Sequence, residues 1–118
     1  MREQKATAGD VIEIELLEAD PKRTQLATLI KTPNLEALQI SVPAGGTVPT
    51  HRFPGEAIIH CLQGRVVLQS QGDCYDLHAG QLLFYCSDAP FSVGGIEDSS
   101  LLITVALPGP GATTELIG

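Results

Sequence analysis

The sequence is short of positive charge. Seven Lys and Arg residues face fourteen Asp and Glu, for a net charge of −7, and no basic pair stands out beyond Lys22-Arg23. A nucleic-acid groove needs a basic stripe to replace counterions along the phosphates, so that class of partner is excluded. An anionic membrane surface would repel the chain for the same reason. Long apolar runs are missing too: none approaches the eighteen or so residues that span a bilayer, and the opening MREQKATAGDVIEIELLEAD has no apolar core of signal-peptide length. Paired cysteines are absent. Cys61, Cys74 and Cys86 are an odd number, widely spaced, with no C-x-x-C, so they are expected to be reduced, mostly buried thiols in a cytoplasmic protein. The motifs of several catalytic classes are also missing: there is no G-x-S-x-G, no P-loop GK[ST] and no G-x-G-x-x-G. Glu97-Asp98 reads as a solvated turn rather than a catalytic carboxylate pair.

What is present is a soluble-type composition, 43% hydrophobic and 18% charged over 118 residues, which suits one domain burying about two-thirds of its unfolded surface. Twelve glycines and eight prolines are scattered rather than clustered, the punctuation of many short strands. Val11–Leu17 alternates apolar and acidic residues. Gln25–Lys31 and Leu35–Val42 flank a Thr-Pro-Asn turn, and the second is apolar on both faces, as in a barrel-like sandwich. Further strands are predicted at Thr47–Phe53, Glu56–Leu62, Arg65–Gln69, Cys74–Leu77, Gln81–Tyr85, Phe91–Val93 and Leu101–Leu107, separated by Gly, Pro and Asp turns. No window supports a long helix. The expectation is one all-β domain spanning 1–118, with about ten short antiparallel strands in a jelly-roll barrel, a core over 25–107, an N-terminal segment 1–24 and a Pro/Gly-rich tail 108–118.

One stretch is more specific. Gly45, His51, Phe53, Ala57 and Gly64 keep the spacing of a motif that runs Gly, five residues, His, one residue, His, three or four residues, Glu, six residues, Gly. Gly80, Cys86, Asp88, Phe91 and Gly95 keep the spacing of its companion, in which Gly, Pro, Gly, His and Asn stand. Fifteen residues separate Gly64 from Gly80. These frames resemble the two signature motifs of the cupin superfamily, whose fold is a double-stranded β-helix.

The resemblance implies a divalent metal held inside the barrel by three histidines and a glutamate. A first-row ion needs three or four converging N or O donors, and strand alternation turns residues two apart to one face. Position by position, His51 keeps its ligand, whereas Phe53, Ala57 and Phe91 replace the other three. Glu56 and His60 fall on the opposite face from Ala57. Ile59 and Cys61 share the Ala57 face, which makes Cys61 the best substitute donor, yet His51 and Cys61 are still two ligands where zinc sites use three or four. No metal or other cofactor is therefore expected; were one held, His51 would be a ligand. Cys61 and Cys86 are expected to be small core residues, and His60 and His78 exposed or hydrogen-bonded strand residues.

The resulting expectation is a metal-free barrel that binds a small apolar or neutral molecule in a pocket of His51, Phe53, Ala57, Ile59, Cys61 and Phe91, since ligand pockets are mostly apolar with a few placed polar groups. Two alternatives remain open. One is a metal-independent enzyme of the epimerase kind, with His51 as base and Tyr85 or Tyr75 as acid. The other is a metal-dependent dioxygenase or isomerase with non-standard ligands. The resemblance also implies a homodimer, formed through sheet faces or through exchange of an N-terminal strand, for which Val11–Leu17 is the candidate.

Overall fold

The computed structural model describes residues 8–14, 24–53, 55–86 and 89–107, with backbone alone for 49–51. Nine strands run in chain order: β1 Gln25–Lys31, β2 Leu35–Val42, β3 Thr47–His51, β4 Glu56–Gln63, β5 Arg65–Ser70, β6 Asp73–His78, β7 Leu82–Cys86, β8 Phe91–Gly95 and β9 Ser99–Ala106. No helix occurs among the described residues, so none is available there to cross a membrane. All strand pairs are antiparallel. A five-stranded sheet in the order β1-β2-β9-β4-β7 faces a four-stranded sheet in the order β3-β8-β5-β6.

Alternation explains why these segments are strands. In β4 the burial pattern puts Ala57, Ile59 and Cys61 inside and leaves Glu56 and Ile58 outside. In β2 Leu38, Ile40 and Val42 point inward, and in β9 Leu101, Ile103 and Val105 do. Register then stacks the inward side chains in layers. Ile40, Leu101 and Cys61 form one row across the five-stranded sheet, Leu38, Ile103, Ile59 and Leu83 the next, and Val105, Ala57 and Tyr85 the third. Val66, Leu68, Leu77, Phe91 and Val93 close the core from the four-stranded sheet. Each fully buried Ile, Leu or Val contributes about 1.5–3 kcal/mol over its exposed state.

The two ends of the barrel are built differently. At the lower end, where β4 turns into β5, Gly64 has φ +84°, and a Cβ there would strike the Asp98 carbonyl and the Ser99 hydroxyl. Ser99, fully buried, accepts from the Arg65 amide at 2.9 Å, and its Oγ lies 2.7 Å from the Glu97 carbonyl and 3.0 Å from that of Arg65. Gly95 sits so close to Pro43 that an added Cβ would lie 2.5 Å from its carbonyl oxygen. Asp98 fastens the same end by accepting from the Ala44 amide at 2.8 Å. The upper end carries Ala57, Tyr85, Phe91 and the β5–β6 hairpin tip.

Several expectations need correction. Nine strands form among the described residues, in line with about ten, but Val11–Ile14 has no strand there and Val11 is 93% exposed. The remainder of Val11–Leu17 lies outside the described residues, as does the tail 108–118. Cys74 and Cys86 are exposed rather than buried. In β7 the inward positions go to Leu83 and Tyr85, and in β6 to Tyr75 and Leu77, which leaves both thiols on the outer faces.

Candidate functional site

The register brings the motif positions together at the upper end. Ala57 pairs with Tyr85 on one side and Val105 on the other, and His51 pairs with Phe91. Phe53 follows β3 and folds back inside. Its ring centroid lies 5.1 Å from that of Phe91, tilted by 53°, and Tyr85 meets Phe91 edge-on at 5.3 Å. Phe53, Ala57, Tyr85 and Phe91 are each at most 7% exposed. Three aromatic rings thus cluster at this level, with Phe91 between the other two. Tilted and edge-on contacts of this kind add about 0.5–1.5 kcal/mol per pair beyond area burial.

Of the six pocket residues named from the sequence, Phe53, Ala57 and Phe91 lie at this level, and the backbone of His51 is beside Phe91; the His51 side chain lies outside the described residues. Ile59 and Cys61 share the Ala57 face but sit one and two layers deeper, both fully buried. Glu56 is exposed on the outer face, and His60 is half-buried there. The Cys61 Sγ is 3.4 Å from the Gln63 carbonyl and 3.6 Å from that of Gly64. Burial pushes its pKa up, the hydrogen bond to Gln63 opposes this, and the Glu97 charge adds to the rise. The group stays a thiol, a poor ligand and a poor nucleophile.

Tyr85, one of the two candidate acids, is the polar group at this level. Its hydroxyl is 2.7 Å from Ser70 Oγ and donates to the Ala89 carbonyl at 3.1 Å, while Ser70 Oγ lies 3.0 Å from the Pro90 carbonyl. Ser70, only 8% exposed, ends β5, and the pair ties the β5–β6 tip to β7 and to the segment before β8. The signal for Ser70 was its phase: it follows Val66 and Leu68 at two-residue spacing. On either side of the tethered tip lie two hollows, of about 320 Å³ against Pro90, Phe91 and Ser92, and about 160 Å³ against Tyr75, Leu83 and Tyr85. Tyr75, the other candidate acid, is half-buried against the core.

A second polar cluster is remote from this end. On the outer face of β5 and β6, Arg65 grips Asp76 through both nitrogens at 3.0 and 2.8 Å, and His78 Nε2 lies 3.5 Å from the same carboxylate. The hydrogen bonds from Arg65 hold Asp76 below the ordinary carboxylate range, with Coulombic help from Arg65 and His78.

With that geometry in place, the comparisons with known proteins are direct. A family model described as cupin domain matches residues 38–106. The chain belongs to the cupin family. Solved structures agree on the fold. A conserved protein of unknown function from Streptococcus pyogenes is 20% identical, covering 93% of this chain and 98% of its own, with a TM-score of 0.74. An RmlC-like cupin protein from Desulfovibrio desulfuricans is 21% identical over 85% of this chain and 97% of its own, TM-score 0.71. A cupin superfamily protein from Desulfitobacterium hafniense is 18% identical over 77% and 84%, TM-score 0.70. No curated protein matches.

The metal set that the cupin frame implies does not fit this barrel. Phe53, Ala57 and Phe91 occupy three of its four positions and offer no donor atom. Among the described residues no group of three or more His, Cys, Asp or Glu converges on a point.

Proposed function

We propose that this cupin binds a small, neutral, largely apolar molecule at the upper end of the barrel, without a resident metal. The observation that carries the reading is the replacement of three ligand positions by Phe53, Ala57 and Phe91, joined by the Tyr85 ring. Phe91 lines the larger hollow at the hairpin tip and Tyr85 the smaller one, and aromatic surface there recognises flat or branched hydrocarbon. Tyr85 and Ser70 supply hydroxyl groups at its edge, already hydrogen-bonded to the protein, so a charged ligand group would find no counter-charge among them. The Tyr85 hydroxyl is already engaged by Ser70 Oγ and the Ala89 carbonyl, which counts against Tyr85 as a general acid.

The test is a titration with N-phenyl-1-naphthylamine, a neutral apolar fluorophore, on native protein and on Ala57→Leu, which adds volume beside Tyr85 in the same buried layer. Saturable binding at one site per chain, weakened at least about tenfold by the substitution, supports the proposal; tenfold corresponds to about 1.4 kcal/mol. Binding that never saturates, or that Ala57→Leu leaves unchanged, overturns it. So does a rise of several degrees in the melting midpoint on adding zinc, manganese or iron(II), because a metal that stabilises the fold must be held by it.

A further inference from the structure

The hydroxyl pair at the β5–β6 tip is one proton short. Ser70 and Tyr85 each carry a single hydroxyl proton. Three contacts draw on those two protons: Ser70 Oγ with Tyr85 Oη at 2.7 Å, Ser70 Oγ with the Pro90 carbonyl at 3.0 Å, and Tyr85 Oη with the Ala89 carbonyl at 3.1 Å. Neither carbonyl brings a proton of its own. Two oxygens as close as Ser70 Oγ and Tyr85 Oη need a proton between them. Tyr85 gives its own to Ala89, so Ser70 donates to Tyr85. The Pro90 carbonyl then faces a hydroxyl whose proton points elsewhere, and among the described residues no other donor reaches it.

Ser70 and Pro90 both line the larger hollow, of about 320 Å³, together with Phe91 and the exposed Asp73. That volume is at the small end for ligand pockets and suits a molecule of one or two rings. Charge and proton count narrow the choice further. The Asp73 carboxylate, on a chain of net charge −7, disfavours an anion. A ligand carbonyl or ether would set its lone pairs against those of Pro90. An acceptor left short of its hydrogen bond is costly in a half-closed site, and a ligand that brings the missing proton recovers that cost.

We propose that the larger hollow takes a neutral arene bearing a hydroxyl group, of the phenol or naphthol class, whose O–H donates to the Pro90 carbonyl while its ring lies against Phe91. This rests on the reading of the barrel's upper end as an apolar binding site, and adds what the ligand must carry. Tyr85 is then a specificity-determining residue that acts through Ser70: by accepting the Ser70 proton it keeps the Pro90 carbonyl open. In Tyr85→Phe the Ser70 proton turns to Pro90 and the slot closes. In Ser70→Ala that competing proton is gone and the slot stays open.

Equilibrium dialysis against 2-naphthol and against 2-fluoronaphthalene at neutral pH tests this, since the two are nearly the same shape and only the first donates. The native chain is expected to bind both at a single site, with 2-naphthol favoured at least about threefold. Tyr85→Phe is expected to bring that ratio to about one, and Ser70→Ala to preserve it. Loosened packing alone would weaken both probes together and leave the ratio standing. Equal affinity for the two probes at one saturable site of the native chain overturns the donor requirement and leaves the apolar site intact. Saturable binding of neither overturns both. A preference that survives in Tyr85→Phe, or vanishes in Ser70→Ala, overturns the role given to Pro90. If Tyr85→Phe does not fold, the native ratio and Ser70→Ala decide by the same outcomes.

Discussion

The lower and upper ends of this barrel obey different physics. At the lower end, backbone meets backbone: Gly64 and Gly95 leave no room for a Cβ, and the buried Ser99 bridges β5 to the turn before β9. At the upper end, side chain meets side chain: Phe53, Ala57, Tyr85 and Phe91 enclose hydrocarbon, with one hydroxyl pair at the rim. Backbone contacts tolerate no substitution, whereas side-chain contacts can be re-cut without losing the fold. The motif glycines secure the frame, and the motif's ligand positions were free to change.

Substitutions can break that contrast, starting where the effect is largest. Gly64→Val combines a left-handed backbone with collision against Asp98 and Ser99. It is expected to cost well over about 4 kcal/mol, seen as little folded protein or a collapsed urea midpoint. Phe91→Ala removes a buried ring at the other end and is expected to cost about 3–5 kcal/mol while still yielding folded protein. If Phe91→Ala abolishes folding and Gly64→Val is mild in denaturant titration, the contrast is inverted. Ser99→Ala leaves the Arg65 amide without its buried acceptor and should cost about 1–3 kcal/mol. Tyr85→Phe removes one rim hydroxyl whose neighbour Ser70 keeps the Pro90 carbonyl, for a loss of about 0.5–1.5 kcal/mol; a larger loss than Ser99→Ala would move the polar anchor of the barrel to its upper end.

The smallest effect lies outside both ends. Arg65 lowers the folded pKa of Asp76 below its ordinary 3.8, so the pair's stabilisation is present above that unfolded value. It fades as pH falls through the lower folded one. Asp76→Asn is therefore expected to flatten the acid limb of stability against pH slightly, with no change near neutrality. Because the pair is exposed, an equal effect at high salt would show that screening does not act on it and would refute the assignment.

Much of this was legible along the chain. Gln25–Lys31 and Leu35–Val42 form strands with the bounds read from alternation and turns, and the inward phase of Ala57, Ile59 and Cys61 followed from period two. β7 was not legible. Leu82–Cys86 is apolar at every position, so periodicity gives no phase, and Cys86 was assigned to the core that Tyr85 occupies. Pairing with Ala57 fixes that phase from outside. Ser99 and Ser100 fell outside the strand expected from Leu101, for the converse reason. Two serines after two acids look like a surface turn, yet both are fully buried at the start of β9, because Ser99 bonds Arg65 and Ser100 accepts from Gln39 at 2.9 Å, 61 residues away.

By itself, then, the sequence determined the strands, the turns between them and the loss of donor atoms at positions 53, 57 and 91, since each of these is written within a few residues of chain. Only the tertiary structure decided which side chains meet. The aromatic meeting at Phe91 and the Ser70–Tyr85 couple both depend on pairing between distant strands. Local alternation fixes which way a side chain points, but register fixes what it touches, and in antiparallel sheets register is set by contacts far apart in sequence.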